Sequence, residues 1–347
     1  MADSFDCFSV LFGKDEVFVN GKTFSLGQCT TDIMNLDDDV LAELDRHIEK
    51  LMPAVKSLFQ EKTDSAARSA QELLCAVWGL IFSFPVYRDL NMDRWTANNL
   101  FPLLLSDPEK WAAVQEAGTE GHAMFQKLLE GLEYFPESLR TFRGQVAGML
   151  ELYFEPLARR SVDAYAEAFA RYYGEMKSVE GIFGEGPFEQ SFPTENQFVP
   201  MVHPTEKGMV LLAERAQFSY LTHFLYTDFY RGLMVGNAPR RCHNCGTYFL
   251  LTAGYNTCYC NNLAPGETSR TCRKVGAHKK EAQERVTATP AQKEYAKAYN
   301  RLKARKQRGK ISVNEWNTAV AMVQELKAQT ERGELTDEKL RKQLERL

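Results

Sequence analysis

Five of the eight cysteines in this 347-residue chain fall between positions 240 and 280. Cys242 and Cys245 are two residues apart, Cys260 follows after fourteen more, and Cys272 after another eleven. This is the spacing of a zinc site, in which a tight turn aims two thiolates at one point and later segments return the other two. Gly246 supplies the backbone freedom that such a turn uses. Four thiolates leave a tetrahedral ion no open position, so the expected metal is one structural zinc rather than a catalytic one. The free energy of binding such an ion is folding free energy.

The intervening residues read as a small ββα module. Positions 247–251 are strand-like, 253–256 form a turn, and Tyr259 lies in a returning strand that Cys260 ends. Thr271 is placed to cap a helix opening near Cys272, whose positive end favours a thiolate. Five cysteines compete for four places. Cys258 lies on the same strand face as Cys260 and could replace Cys260 or Cys272, but the favoured ligands are Cys242, Cys245, Cys260 and Cys272. His243 sits inside the turn and is expected to point outward. His278 falls two helical turns after Cys272, roughly 9 Å along the axis and too far to share the ion.

The run RRCHNCGTYFL, the Tyr259-Cys260 step and the segment TCRKVGAHKK together resemble the C-terminal part of a bacterial family of unknown function. Its members carry a zinc finger related to the CGNR type. In that pattern a Cys-x-x-Cys pair, a Tyr/Trp-Cys step and a cysteine opening a basic helix recur, and they match Cys242, Cys245, Tyr259-Cys260 and Cys272. CGNR fingers set their last two cysteines closer together and write the last as Cys-Gly-Asn-Arg, where this chain has Cys-Arg-Lys-Val-Gly. The resemblance implies a DNA-binding finger and carries over no established activity for the rest of the chain.

Composition fits an ordinary soluble globular protein, with 44% hydrophobic and 25% charged residues. No basic leader precedes an apolar stretch at the start, and the longest apolar run, 73–86, is too short to span a bilayer. A cytoplasmic protein is expected, where reduced thiols serve metals better than disulfides. The formal charge of −4 hides a division. Residues 1–235 carry 20 basic against 35 acidic side chains, a net −15; residues 236–310 carry 16 against 4, a net +12; residues 311–347 carry 6 against 7, a net −1. A concentrated basic block on an acidic chain is the electrostatic footprint of a polyanion partner. Docking of that block on an acidic surface of the same or another copy is the alternative.

The expected fold class is mainly α, with a small N-terminal β-hairpin unit, a helical body, the zinc module and C-terminal helices. Residues 1–30 give apolar runs joined by Asn20-Gly21, the strongest short hairpin signal. Gly21-Lys22-Thr23 ends like a phosphate loop but lacks the leading glycine and the following helix. Residues 31–235 form the acidic helical body. Leu41, Leu44, Ile48 and Leu51 mark one helix face, a second helix runs from about 65 to 84, and Asp107-Pro108 opens a third. Glycines 118 and 121 interrupt before 124–132, and 138–176 makes one or two long helices. The Gly- and Pro-rich stretch 179–208 reads as a surface loop with a short strand near 197–202, and 214–234 as an aromatic-rich helix.

The zinc module then spans 236–288, and a basic helix with a helical tail spans 289–347. Thr289-Pro290 starts the basic helix, which reaches Arg308 and packs through Tyr295, Tyr299 and Leu302. Lys293, Lys297, Arg301 and Arg305 recur at four-residue steps as one basic column. Ser312 with Glu315 forms a capping-box pattern, and the last short amphipathic helix requires a surface to pack on, in this chain or in a partner.

No catalytic constellation emerges: the six histidines are dispersed and no Gly-x-Ser-x-Gly motif occurs. The leading expectation is a nucleic-acid-binding protein, with DNA as the partner, in a regulatory or mobile-element accessory role. Arg273, Lys274, Lys279, Lys280 and the column Lys293, Lys297, Arg301 and Arg305 would contact phosphates. No membrane partner is expected. The alternatives are a protein-interaction or scaffold protein that uses the C-terminal helices and a purely structural zinc, and an enzyme whose site in the helical body converges only in three dimensions.

Overall fold

The computed structural model describes residues 3–183 and 194–346, without the side chains of 177–183 and 280–287. The chain divides into two compact units, Met1–Cys260 and Asn261–Leu347.

In the first unit, β1 (Phe8–Phe12), β2 (Glu16–Val19) and β3 (Lys22–Ser25) form the expected hairpins, with Asn20 and Gly21 both at positive φ in the turn. They continue into a five-stranded antiparallel sheet of order β3-β2-β1-β5-β4, built with β4 (Glu195–Val202) and β5 (Val210–Phe218). Phe8 pairs with Phe218 and Phe12 with Glu214, so β1 sits in the middle. This corrects two expectations. Within 179–208 the short strand expected near 197–202 is present as 195–202, but 179–183 belong to a helix ending at Phe183 rather than to a loop, and 184–193 lie outside the described residues. Residues 214–218 are strand rather than helix, although Ala, Glu, Arg and Gln favour helix. Pairing on both edges gives their backbone full hydrogen bonding, and that outweighs propensity.

The helices of this unit follow their periodicity. They are α1 (Gln28–Met34), α2 (Asp38–Glu61), α3 (Asp64–Ile81), α4 (Arg94–Ala97), α5 (Leu100–Ser106), α6 (Pro108–Gln115), α7 (Glu120–Met149), α8 (Val162–Phe183) and α9 (Leu221–Met234). Asp37, Thr63, Asp107 and Thr119 each accept a first-turn amide and start α2, α3, α6 and α7. Leu41, Leu44, Ile48 and Leu51 are buried along α2. α7 is longer than expected, passing through Pro136 to Met149 and then a π-helical turn, Leu150–Phe154. The two short helices α4 and α5 carry too few periodic residues to be seen in sequence.

One core joins the sheet, α1–α3, α7 and α9. At its centre Phe8, Phe12, Phe218 and Phe224 meet at ring-centroid distances of 5.5–6.3 Å. Where α1 meets α9, Gly27 faces Gly232. A Cβ on Gly232 would lie 3.1 Å from the Gly27 Cα. The close approach lets Asp228, fully buried on α9, accept from Gly27 N, Thr30 N and Thr30 Oγ1, each at 2.9 Å, and so cap α1 from outside its own chain segment.

In the second unit, α10 (Cys272–Thr287) is followed by α11 (Pro290–Gln307), α12 (Val313–Glu331) and α13 (Asp337–Glu345). Both expected starts are present as complete capping boxes, Thr289 with Gln292 and Ser312 with Glu315. Leu302, Val323, Leu326, Leu340 and Leu344 make a separate small core, so the terminal helix finds its packing surface on α11 and α12. No described helix is long and apolar enough to cross a membrane.

Candidate metal centre

The knuckle is the turn of a short hairpin. β6 (Ala238–Arg241) enters it and β7 (Tyr248–Leu251) leaves it, with Arg241 opposite Tyr248. Cys242 N donates to Thr247 O and Gly246 N to Cys242 O, both at 2.9 Å, and Gly246 takes φ 77°. The partner of 248–251 therefore precedes the knuckle, whereas a returning strand ending at Cys260 was expected. Ala-Pro-Arg-Arg reads as a linker because of its proline, yet an edge strand tolerates the missing N–H. The segment before Cys260 spends its polar groups on the knuckle instead. Cys258 O accepts from His243 N at 2.9 Å, and Cys260 N donates to Cys242 Sγ at 3.4 Å. The outer edge of β7 is met by a side chain, since Asn35 exchanges hydrogen bonds of 2.8 and 2.9 Å with Tyr248 N and O.

The sulfurs of Cys242, Cys245, Cys260 and Cys272 all lie within 4.8 Å of one another, and those of Cys245 and Cys260 are 3.6 Å apart. Four sulfurs on a tetrahedral ion at about 2.3 Å would be separated by about 3.8 Å, so the cluster has the geometry of a metal centre. Cys242, Cys260 and Cys272 are buried, and all four are free thiols. Cys258 stands outside the group. Burial alone would raise the Cys245 thiol, but hydrogen bonds from Thr247 and the neighbouring Cys242 and Cys260 outweigh it and bring its pKa down to about 6. An all-thiol donor set suits a soft or borderline cation. Among the described residues this is the one group of three or more His, Cys, Asp or Glu close enough to hold a metal.

Cys272 is the first residue of α10, whose cap Thr271 accepts from Lys274 N at 3.3 Å as the sequence suggested. The preceding loop is closed by Cys272 N to Asn262 O and Ala264 N to Arg270 O, at 2.8 and 2.9 Å.

Sequence reasoning missed the acid that buttresses the knuckle. Glu155, just after the π-helical turn, accepts from Arg240 at 2.9 Å and from Arg160 at 3.1 Å, and bonds His243 Nε2 at 2.8 Å. Both arginines are buried, and Arg240 also donates to Thr257 O at 2.9 Å. Burial raises the Glu155 pKa, but the bond and charge of Arg240, the charge of Arg160 and the bond to His243 bring it below the ordinary carboxylate range. His243 is thus half-exposed and engaged, rather than simply turned outward. Glu155 precedes Arg240 by 85 residues, and no local pattern announces such a pair.

The basic residues are distributed unevenly. Arg273, Lys274 and Lys279 are exposed on α10, and the side chain of Lys280 lies outside the described residues. On α11 Lys293 is exposed, Lys297 pairs with Glu294 at 2.7 Å, Arg301 donates to the Leu344 carbonyl at the end of α13, and Arg305 is half-buried. Part of the column therefore serves the second unit's own packing.

No curated protein and no solved structure matches this chain. Residues 189–347, the portion that holds the four-thiol cluster, match the model of a family of unknown function, DUF6076.

Proposed function

We propose that the DUF6076 portion is a nucleic-acid-binding module, with DNA as its partner, whose fold is held by one structural zinc ion in a CGNR-like finger. The observation that carries this reading is the position of the fourth thiol. Cys272 opens α10, and the next two residues, Arg273 and Lys274, are exposed cations. An ion on Cys272 would fix the start of that helix, and with it two phosphate-binding side chains. Lys279 on α10 and Lys293 on α11 extend the cationic surface. Arg301 and Arg305 are weaker candidates for contact, because Arg301 already holds α13 and Arg305 is half-buried.

Fluorescence anisotropy with mixed-sequence duplex DNA tests the reading. A surface that neutralises about three phosphates loses roughly 40-fold in affinity between about 50 and 200 mM salt. Reversal of Arg273, Lys274 and Lys293 to Glu should abolish binding at the lower salt, with circular dichroism unchanged. Undetectable binding of the zinc-loaded protein at low salt would end this reading.

A second reading, a protein-interaction module, is favoured by the hairpin of β4 and β5. Phe198, Val202, Val210 and Leu212 are 65–75% exposed, and Val202 is paired with Val210. Such an apolar sheet face beside an edge strand suits a protein partner.

A further inference from the structure

Between the π-helical turn and the β6–β7 hairpin lies a pocket of about 350 Å³, lined entirely by residues of the first unit. Leu150, Phe154 and Pro239 are its buried apolar residues. The volume is that of a small-molecule site, and π-helical turns recur at functional positions.

Glu155, Arg160 and Arg240 satisfy one another along this pocket, but a second set of polar groups lining it is left unused by the fold. Arg241 spends its Nε on Gly246 O at 3.2 Å, which leaves the fork of its two terminal nitrogens. Glu151 Oε1 stands 3.6 Å from Arg241 Nη1, too far for a hydrogen bond. Among the described residues neither that fork nor the Glu151 carboxylate makes a hydrogen bond, and the two side chains are 61% and 59% exposed. Gly246, also in the wall, leaves room beside the guanidinium: a Cβ there would lie 3.9 Å from Arg241 Nε and Nη2. Tyr248 faces Arg241 across the hairpin and adds a half-buried ring. Burial, and then the charge of Glu151, push its phenol above the usual value, so the hydroxyl stays protonated near that carboxylate.

The pocket thus presents a two-pronged donor beside a two-pronged acceptor. A simple anion is repelled by Glu151 and a simple cation by Arg241, so the pair selects a neutral group whose acceptors and donors stand side by side. Among the nucleobases guanine offers two acceptors, N7 and O6, continuous with two donors, N1–H and the N2 amino group. Adenine and cytosine each have one amino donor, and thymine has a single N–H between two carbonyls. In a duplex the N1–H edge is already paired, so the matching base is an unpaired one.

We propose that this pocket takes one unpaired guanine base, with the Arg241 fork on N7 and O6 and the Glu151 carboxylate on N1–H and the N2 amino group. The choice of a base rests on the nucleic-acid reading above. Guanine can reach the pocket from a single-stranded or flipped-out nucleotide or from a free guanine nucleotide.

The test uses the full chain purified with zinc. In calorimetric titrations dGMP should bind at least about tenfold tighter than dAMP, dCMP or TMP. In anisotropy titrations a labelled oligo-dT decamer with one central dG should bind about tenfold tighter than the same decamer with dA, and annealing to its complement should erase that gain. Glu151→Gln keeps the size of the side chain but turns one prong into a donor. It should reduce the guanine preference to within about twofold in both assays, with the melting temperature and the affinity for plain oligo-dT unchanged. Arg241→Lys keeps the charge, loses the fork, and should act in the same way. Equal binding of the four monophosphates, or a guanine preference that survives Glu151→Gln, would overturn the proposal. A preference for dGMP with no gain from dG in the decamer identifies a free nucleotide as the source of the base. Failure of every oligonucleotide to bind while dGMP is still preferred would end the nucleic-acid reading and leave this site standing.

Discussion

If the four thiols hold the proposed zinc, removing it should unfold one defined stretch and leave the rest standing. Between Thr252 and Lys279 the buried residues are Cys260, Ala264, Cys272 and Gly276; no large apolar side chain is among them, and Tyr255 and Leu263 are more than half exposed. Apolar burial there amounts to about one methyl group, on the order of 1 kcal/mol. Ordering each residue costs about 1–2 kcal/mol in backbone entropy. The hydrogen bonds that close the loop, such as Cys272 N to Asn262 O and Ala264 N to Arg270 O, contribute about 1 kcal/mol each. Burial and hydrogen bonding therefore fall short of ordering the stretch, and the largest further contribution open to it is ligation of an ion by the four thiols. The body rests on its own core of Phe8, Phe224, Leu41 and Ile81, so a chelator should not melt it. Hydrogen exchange of the zinc-loaded protein, before and after a strong chelator, is the assay. The amides of Ala264, Glu267 and Cys272 should lose at least about a thousandfold of protection, a change of about 4 kcal/mol. Amides of α2 and β1 should change by less than about threefold. Unchanged protection across 260–272 after the metal is removed would refute the reasoning, because something other than the ion would then be ordering the thiols.

Other outcomes follow from single groups. Asp228 is fully buried; desolvation raises its pKa to about 6, against the lowering effect of the Thr30 and Gly27 hydrogen bonds. The folded state therefore holds a proton that the unfolded state has released between about pH 4 and 6. Stability should fall by up to about 3 kcal/mol as pH rises through that window, and urea midpoints of the wild type against Asp228→Asn should show the slope in the first and not in the second. Asp228→Ala leaves the Gly27 and Thr30 donors unpaired and should cost about 3–5 kcal/mol at pH 7 in the same experiment. Glu155→Gln strips the carboxylate from buried Arg160 and Arg240. Because Glu155 is itself 39% exposed, the cost should be about 2 kcal/mol rather than the full penalty of a buried pair, read as a lower melting temperature with zinc content unchanged. Cys245, lowered to about 6 by Thr247 and its neighbouring thiols against the effect of burial, should bind metal more weakly as pH falls through about 6, measurable by competition with a chromophoric chelator.

The parts of this molecule that were legible in its sequence are those whose physics is local. A helix declares itself within two turns, so the buried stripe of α2, the Thr289 and Ser312 capping boxes and the Thr271 cap could all be read from residues three or four apart. The knuckle is equally local, since Cys-x-x-Cys and Gly246 set its geometry between them. Sheet membership is another matter. Residues 214–218 carry helix-forming side chains and become a strand because β4 and, two hundred positions earlier, β1 offer their edges. The hairpin at the cysteines went wrong for the same reason in miniature: the strand that pairs with 248–251 could lie on either side of the knuckle, and pairing registers are invisible in a single strand. Glu155 is the extreme case. Nothing in Tyr153-Phe154-Glu155-Pro156 says that this carboxylate will hold two buried arginines, one of them two residues before the first metal ligand. Yet the doubled arginine at 240 and 241 was a signal. Arg240 occupies a β6 position whose neighbours Ala238 and Pro239 are buried, and a buried guanidinium requires an anion. An arginine at the inward position of a knuckle strand thus implies an acid somewhere in the body, even when the sequence cannot say which one. That pairing ties the first cysteine of the cluster to the helical core independently of any ion on the thiols.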